Sequence, residues 1–317
     1  MSDFDEERSL GYQPDDQVAD YLEAIGDTEG AALLREPGIR GQGVGRLLGK
    51  AWSHTSHVVG FVEEREAGAP AVARVPIRPA FEAKADPSLI GTQIKVTLDV
   101  FQVHEYPGLS PHSVLFDFQG RDQAGSEAQD LQFASVLNVN SHDRAAVNGV
   151  PIFTGLTVPG DGLSFKATTI RIGSSSDQAI VDVLESSAFK EGLKLMGTLQ
   201  PALPQLVGLA AGITKNISNR FLNKQIQSFD LGLDFGANPS SIRLRRGSYV
   251  VVQVPGRDSW RWGDWSLDRH TMGVVDSAGK PAPYNVIVFG VTGSTSTEAR
   301  SAIRSDGRTA LDASRNA

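Results

Sequence analysis

The sequence contains no cysteine. Disulfide bridges, thiolate metal sites and cysteine nucleophiles are therefore excluded. A chain that does without bridges is expected in a reducing, cytoplasmic setting. Tryptophan is scarce: there are four, and three of them fall inside "SWRWGDWSLD", residues 259–268. A basic surplus is lacking too, since the net charge is −7, which argues against bulk nucleic-acid binding. The most apolar stretch, "LMGTLQPALPQLVGLAAGIT" (195–214), is interrupted by Pro201 and Pro204. Its continuous apolar part is too short to cross about 30 Å of hydrocarbon as a helix. The start, "MSDFDEERSL", is acidic and polar, unlike a secretory leader with a basic head and an apolar middle.

The motifs that announce cofactors are equally missing. "GQGVGRLLGK" (41–50) resembles a phosphate loop only superficially, because Val44 stands where the first glycine is required and Ala51 where a Ser or Thr would follow Lys50. A dinucleotide fingerprint from Gly43 and Gly45 would need glycine at Leu48. No G-x-S-x-G elbow and no H-E-x-x-H zinc motif occurs. His54 and His57, three apart, would share a face if helical, and read as surface histidines near a helix end. His104, Glu105 and His112 surround one inter-strand loop, with His142 and Asp143 in another, and no local nucleophile accompanies them. Loop carboxylates such as Asp117, Asp161 and Asp264 lack the dense spacing of a calcium site. No catalytic residue, cofactor or metal is expected.

What is present is alternation. In "TQIKVTLDVFQVHEY", Ile94, Val96, Leu98 and Val100 point one way and Lys95, Thr97 and Asp99 the other, the signature of a half-buried antiparallel strand. The segments "HSVLFDFQ", "LQFASVLNV", "GVPIFTGLTV", "GLSFKATTIRI", "QSFDLGLDF", "GSYVVVQV" and "YNVIVFGV" behave alike, and most gaps carry turn residues. The fold expected is mainly β: an antiparallel sandwich, C2-like or jelly-roll-like, of roughly eight to ten strands. Residues 1–57 read as a tail (1–12) followed by short helices. The first helix has Val18, Tyr21, Leu22 and Ile25 on one face, Asp15 or Asp16 as cap and Gly26 as stop. The sandwich spans 58–295. It is interrupted at 174–224 by an apolar, helically spaced stretch expected to form an inserted hairpin, and 296–317 read as a polar tail.

Charge is uneven. Residues 190–270 hold eleven Lys and Arg against six Asp and Glu, a net +5 within an acidic chain. The tryptophan segment lies in this window, between two strongly alternating strands. Period-two spacing puts Trp260 and Trp262 side by side, with Trp265 returning from another direction, and Arg257, Arg261 and Arg269 around them. Two roles compete: an end cap on the sandwich core, or a hot spot for a partner, for which Trp and Arg are the enriched residues. The function expected is that of a non-enzymatic interaction protein, binding a partner protein or a second copy through Trp260, Trp262, Trp265, Arg257, Arg261 and Arg269. The alternatives are a membrane-surface or membrane-active protein using the basic 190–270 region on an anionic surface, and a carbohydrate-binding module with Trp260 and Trp262 as its platform.

Overall fold

The computed structural model describes residues 9–35, 49–65, 72–122, 129–173, 224–236 and 241–293. The inserted hairpin expected at 174–224, apart from Lys224, and the C-terminal tail lie outside the described residues. Two helices, α1 (Asp15–Ala24) and α2 (Thr28–Arg35), come first. They are followed by β1 (Ser56–Glu63), β2 (Arg74–Pro76), β3 (Arg78–Pro79), β4 (Gln93–Val103), β5 (His112–Asp122), β6 (Gln129–Val139), β7 (Asp143–Arg144), β8 (Val150–Thr157) and β9 (Leu163–Ile172). The remainder are β10 (Gln225–Asp234), β11 (Ile242–Arg243), β12 (Gly247–Val254), β13 (Ser266–Asp268), β14 (Gly273–Val275) and β15 (Val286–Gly293). The fold is thus mainly β, with antiparallel sheets packed as a sandwich. Among the described residues no helix is long and apolar enough to cross a membrane.

The central layer is a seven-stranded sheet in the order β3-β1-β12-β15-β4-β7, with β8 also paired to β4. A five-stranded sheet, β11-β10-β9-β5-β6, packs on its inner face; a three-stranded sheet, β14-β13-β2, covers part of its outer face. Side-chain alternation assigns each strand's residues to two cores. From β12, Tyr249 and Val251 enter the main core, while Val250, Val252 and Val254 enter the outer one. Because both faces are covered, β12 is buried continuously from Tyr249 to Val254, as a doubly covered strand should be.

β4 departs from the simple alternation in its sequence. Its pairing with β15 slips between Leu98, opposite Phe289, and Val100, opposite Val288. The extra residue, Asp99, is a β-bulge, and a bulge reverses which side the following residues face. Ile94, Val96 and Leu98 therefore lie in the main core, Val100 turns to the outer core, and Phe101 and Val103 return to the main one. Val100 does not share the face of Ile94, Val96 and Leu98.

The N-terminal segment is part of this packing. Ser9 bridges to Gln225 and Leu10 is buried in the main core, so residues 9–12, read as tail, are docked. Val18, Ala19 and Leu22 of α1 join them. Asp15 and Asp16 lie in the first turn of α1 beyond its cap residue Pro14, and make no side-chain cap; there they complement the positive end of the helix. At the other end Gly26 N–H bonds Glu23 O and Asp27 N–H bonds Leu22 O, the paired closure of a Schellman motif. Asp27 then caps α2 through Gly30 N–H at 2.9 Å.

A buried amide network ties these layers together. Asn285, fully buried just before β15, accepts from His104 N–H at 2.8 Å and Glu105 N–H at 3.1 Å. It donates to Glu105 O at 3.0 Å and to Gln253 Oε1 at 2.9 Å. Gln253 in turn donates to His54 O at 2.5 Å and Ile226 O at 2.8 Å. All four hydrogen-bonding positions of Asn285 are thereby used, and the entry to β1, the end of β4, β12, β15 and β10 converge on two side chains.

Candidate functional site

The tryptophan segment leaves β12 through Pro255 and Gly256 and forms two single 3-10 turns, Arg257–Ser259 and Trp262–Asp264, before β13. Trp260 and Arg261, between the turns, are extended, as is Trp265 after the second turn. The second turn folds the chain back, so the parallel pair is Trp260 with Trp265: ring centroids 4.8 Å apart and planes 6° from parallel. Trp262 meets Trp260 edge-on, at 5.3 Å and 75°. The sequence expectation paired Trp260 with Trp262 and set Trp265 apart. The one-turn reversal at 262–264 corrects it.

This cluster closes the outer core. Trp260 is 7% exposed and packs with Val250, Val252, Val254 and Val288, while Trp262 and Trp265 are half-buried. Tyr284 adds a further edge-on contact with Trp260 at 5.6 Å. Trp262 can lie on β1 only because residue 60 is glycine: a Cβ there would stand 2.6 Å from two atoms of the indole. Gly60 and Tyr284 complete the cluster and were not legible in the segment itself. No single sequence signal marks them, since both come from outside the tryptophan run.

The arginines divide. Arg269 is engaged, with its guanidinium on Glu63 O at 3.2 Å and its N–H on Ala73 O at 2.8 Å. Arg257 and Arg261 are exposed and have no ion-pair partner among the described residues. Exposed Asp258 and Asp264 alternate with them. Elsewhere in the basic window Arg243 pairs with Asp234 at 3.0 Å. Arg245 pairs with Glu63 at 3.0 Å and lies over the Phe61 ring, and Arg246 approaches Asp86 at 3.9 Å. Three arginines of the window thus face carboxylates, two of which, Glu63 and Asp86, lie outside it, and the tryptophan rim is mixed in sign.

The chain matches no protein-family model, no curated protein and no solved structure.

The histidines mostly serve the interior. His54 and His57 are not surface residues of a helix: His54 is buried after a short 3-10 turn, and His57 lies on β1 with its ring 5.1 Å from Phe229 and its Nε2 enclosed. His104 and His142 do meet, with ring centroids 4.6 Å apart, whereas His112 is buried on β5 against Ser141 Oγ. Glu105 clamps Lys50 at 2.6 Å and Ala51 N–H at 3.2 Å. Asp117 is buried between Gln119 and Gln132, which donate to it at 2.8 and 2.7 Å. Among the described residues no three such groups are arranged to hold a metal ion.

Burial alone pushes His57 down to about 3. The folded chain then keeps this ring neutral while the unfolded chain takes up a proton as pH falls below 6.5. The contribution of His57 is present above pH 6.5 and is lost between there and pH 3. Urea midpoints at pH 8 and pH 4.5 are expected to show the wild type losing up to about 1.4 kcal/mol per pH unit more than His57→Leu in that window. A difference that does not change with pH would mean the ring is solvated.

Proposed function

We propose that the chain is a non-catalytic binding module, and that a partner protein docks on the rim formed by Trp262, Trp265, Arg257 and Arg261. The observation that carries this reading is the pairing of exposed arginines, unpaired among the described residues, with half-buried indoles fixed on a rigid floor. Aromatic anchors held in one rotamer lose little entropy on binding, and arginines around them are typical of hot spots. The alternation of Arg257, Asp258, Arg261 and Asp264 suits the polar rim of a protein interface. An anionic membrane would call for one sign of charge. The parallel indoles, Trp260 and Trp265, stack face to face with Trp260 buried, so they do not offer a sugar two open faces in one plane. The lack of cysteine supports a cytoplasmic setting for the interaction.

Placing a photo-crosslinking residue at position 261 of the full chain, in its native host, tests the reading. The expected result is one discrete protein adduct, either with a different chain or at twice the mass of this one, which Trp265→Ala combined with Arg257→Glu removes. Absence of any discrete protein adduct from a correctly folded chain refutes it.

A further inference from the structure

Arg171 is the β9 residue opposite Val114 of β5, on the face that enters the main core. His112 precedes Val114 by two and so lies diagonally across from Arg171 on that face. Both are more than nine-tenths buried, at 8% and 0% exposure. Arg171 uses one donor, from Nη2 to Leu109 O at 3.2 Å. Among the described residues its Nε–H and Nη1–H, both buried, have no acceptor, and the buried His112 Nδ1 has no partner either. His112 Nε2 lies 2.8 Å from Ser141 Oγ; when that hydroxyl donates to Nε2, Nδ1 carries the hydrogen.

A guanidinium stays charged in proteins, so its burial calls for an anion and for acceptors. Two groups favour the charge of Arg171 through space, Tyr21 and then the carboxylate of Asp27. Its oxygens are occupied by Gly30 N–H at 2.9 Å and Gly108 N–H at 3.3 Å. The backbone closes tightly around the group: a Cβ on Gly108 would stand 2.9 Å from Arg171 Cζ, and one on Gly173 2.8 Å from Nη1. Gly173 and Leu109 are themselves exposed, which places the guanidinium just beneath the surface.

We propose that this end of the sandwich is a binding site for a small oxyanion, a carboxylate or a phosphate group, held by the Nε–H and Nη1–H of Arg171 and the Nδ1–H of His112. The donors of a planar guanidinium and a neighbouring imidazole suit oxygen acceptors carrying negative charge. Glycine at 108 and 173 lets the guanidinium and the Ile25 side chain pack against the backbone at this end. The site is separate from the tryptophan rim and does not depend on the reading given to it.

The test titrates inorganic phosphate, and separately acetate, into the full chain at fixed ionic strength, following Tm and the His112 ring resonances by NMR. A saturable rise in Tm with a resonance shift at the same midpoint is expected for one of the two. The stronger responder assigns the group as phosphate or carboxylate. Arg171→Met is expected to abolish both signals and to melt at or above the wild-type temperature without anion, because the unpaired buried charge goes with it. Asp27→Asn keeps a cap for α2 and removes the competing negative charge, so it is expected to lower the midpoint by about threefold or more. An equal rise in wild type and Arg171→Met is general salt exclusion and overturns the proposal. So does a wild type with no saturable response.

Discussion

Asn285→Ala is expected to destabilise the fold by about 3–5 kcal/mol, since it strands several buried polar groups at once and each costs about 1–3 kcal/mol when left unmet. His104 N–H, Glu105 N–H, Glu105 O and Gln253 Oε1 all lose their partner. Water entering the space recovers part of the loss, which is why the figure lies below the simple sum. A domain of this kind holds about 5–15 kcal/mol in total, so the variant is expected to be partly unfolded near physiological temperature. The measurement is the urea midpoint, with the slope checked for constancy. A loss under about 1 kcal/mol would show that the amide is not the hub of this network. Asn285→Asp sharpens the result. It keeps an acceptor for the two N–H groups but faces Glu105 O and Gln253 Oε1 with oxygen, so the introduced carboxyl is tolerated when protonated. Its folded pKa is raised, so the loss relative to wild type is expected to be smallest at low pH and to grow as pH rises.

Trp260→Ala is the second large effect, expected at about 3–5 kcal/mol for removal of a buried aromatic side chain. The indole is the one member of the cluster that touches Trp262, Trp265 and Tyr284 together. Its loss also opens the outer core above Val250, Val252 and Val254. Near-UV circular dichroism is expected to fall sharply, since the stacked pair is gone, while the strand signal in the far UV persists below the melting temperature. The consequence for binding is separate. Trp262 and Trp265 remain in the chain but lose the surface they rest on, so crosslinking from position 261 is expected to weaken together with stability. A loss below about 1.5 kcal/mol would mean the cluster is a surface ornament on a core that is complete without it.

The sequence carries the strands well because their alternation is imposed by burial, and burial is a property of single residues. Nine strands of eight to eleven residues are present among the described residues, in line with the roughly eight to ten expected, and six shorter ones accompany them. The bulge at Asp99 was illegible for a physical reason: Ile94 to Val100 alternate without a break in the chain, and only the slipped pairing with β15 turns Val100 over. The aromatic cluster was half legible. Its composition marked a special place, but the stacking partner of Trp260 is chosen by a single 3-10 turn whose residues, Trp262, Gly263 and Asp264, equally permit an ordinary hairpin turn. Arg171 is hidden in the sequence because the apolar residues of "SFKATTIRI" change register, with Phe165 and Ala167 at odd positions and Ile170 and Ile172 at even ones. The inward position of its arginine becomes notable only once β9 is paired with Val114 of β5.

The strand order has a consequence in time. β1 is hydrogen-bonded to β12, from Ser56 with Val254 to Glu63 with Gly247, and among the described residues no long strand in between joins β1 in its sheet. At about 5–20 residues per second, synthesis of the roughly 190 residues separating those partners takes about 10–40 s. Throughout that interval β1 waits on the ribosome with Phe61 and Val62 uncovered by their neighbouring strand, whereas β4 and β8, and β5, β6 and β9, can already assemble. The nascent chain therefore passes through a half-built sandwich, and aggregation during expression is expected to begin at β1 rather than in the later strands.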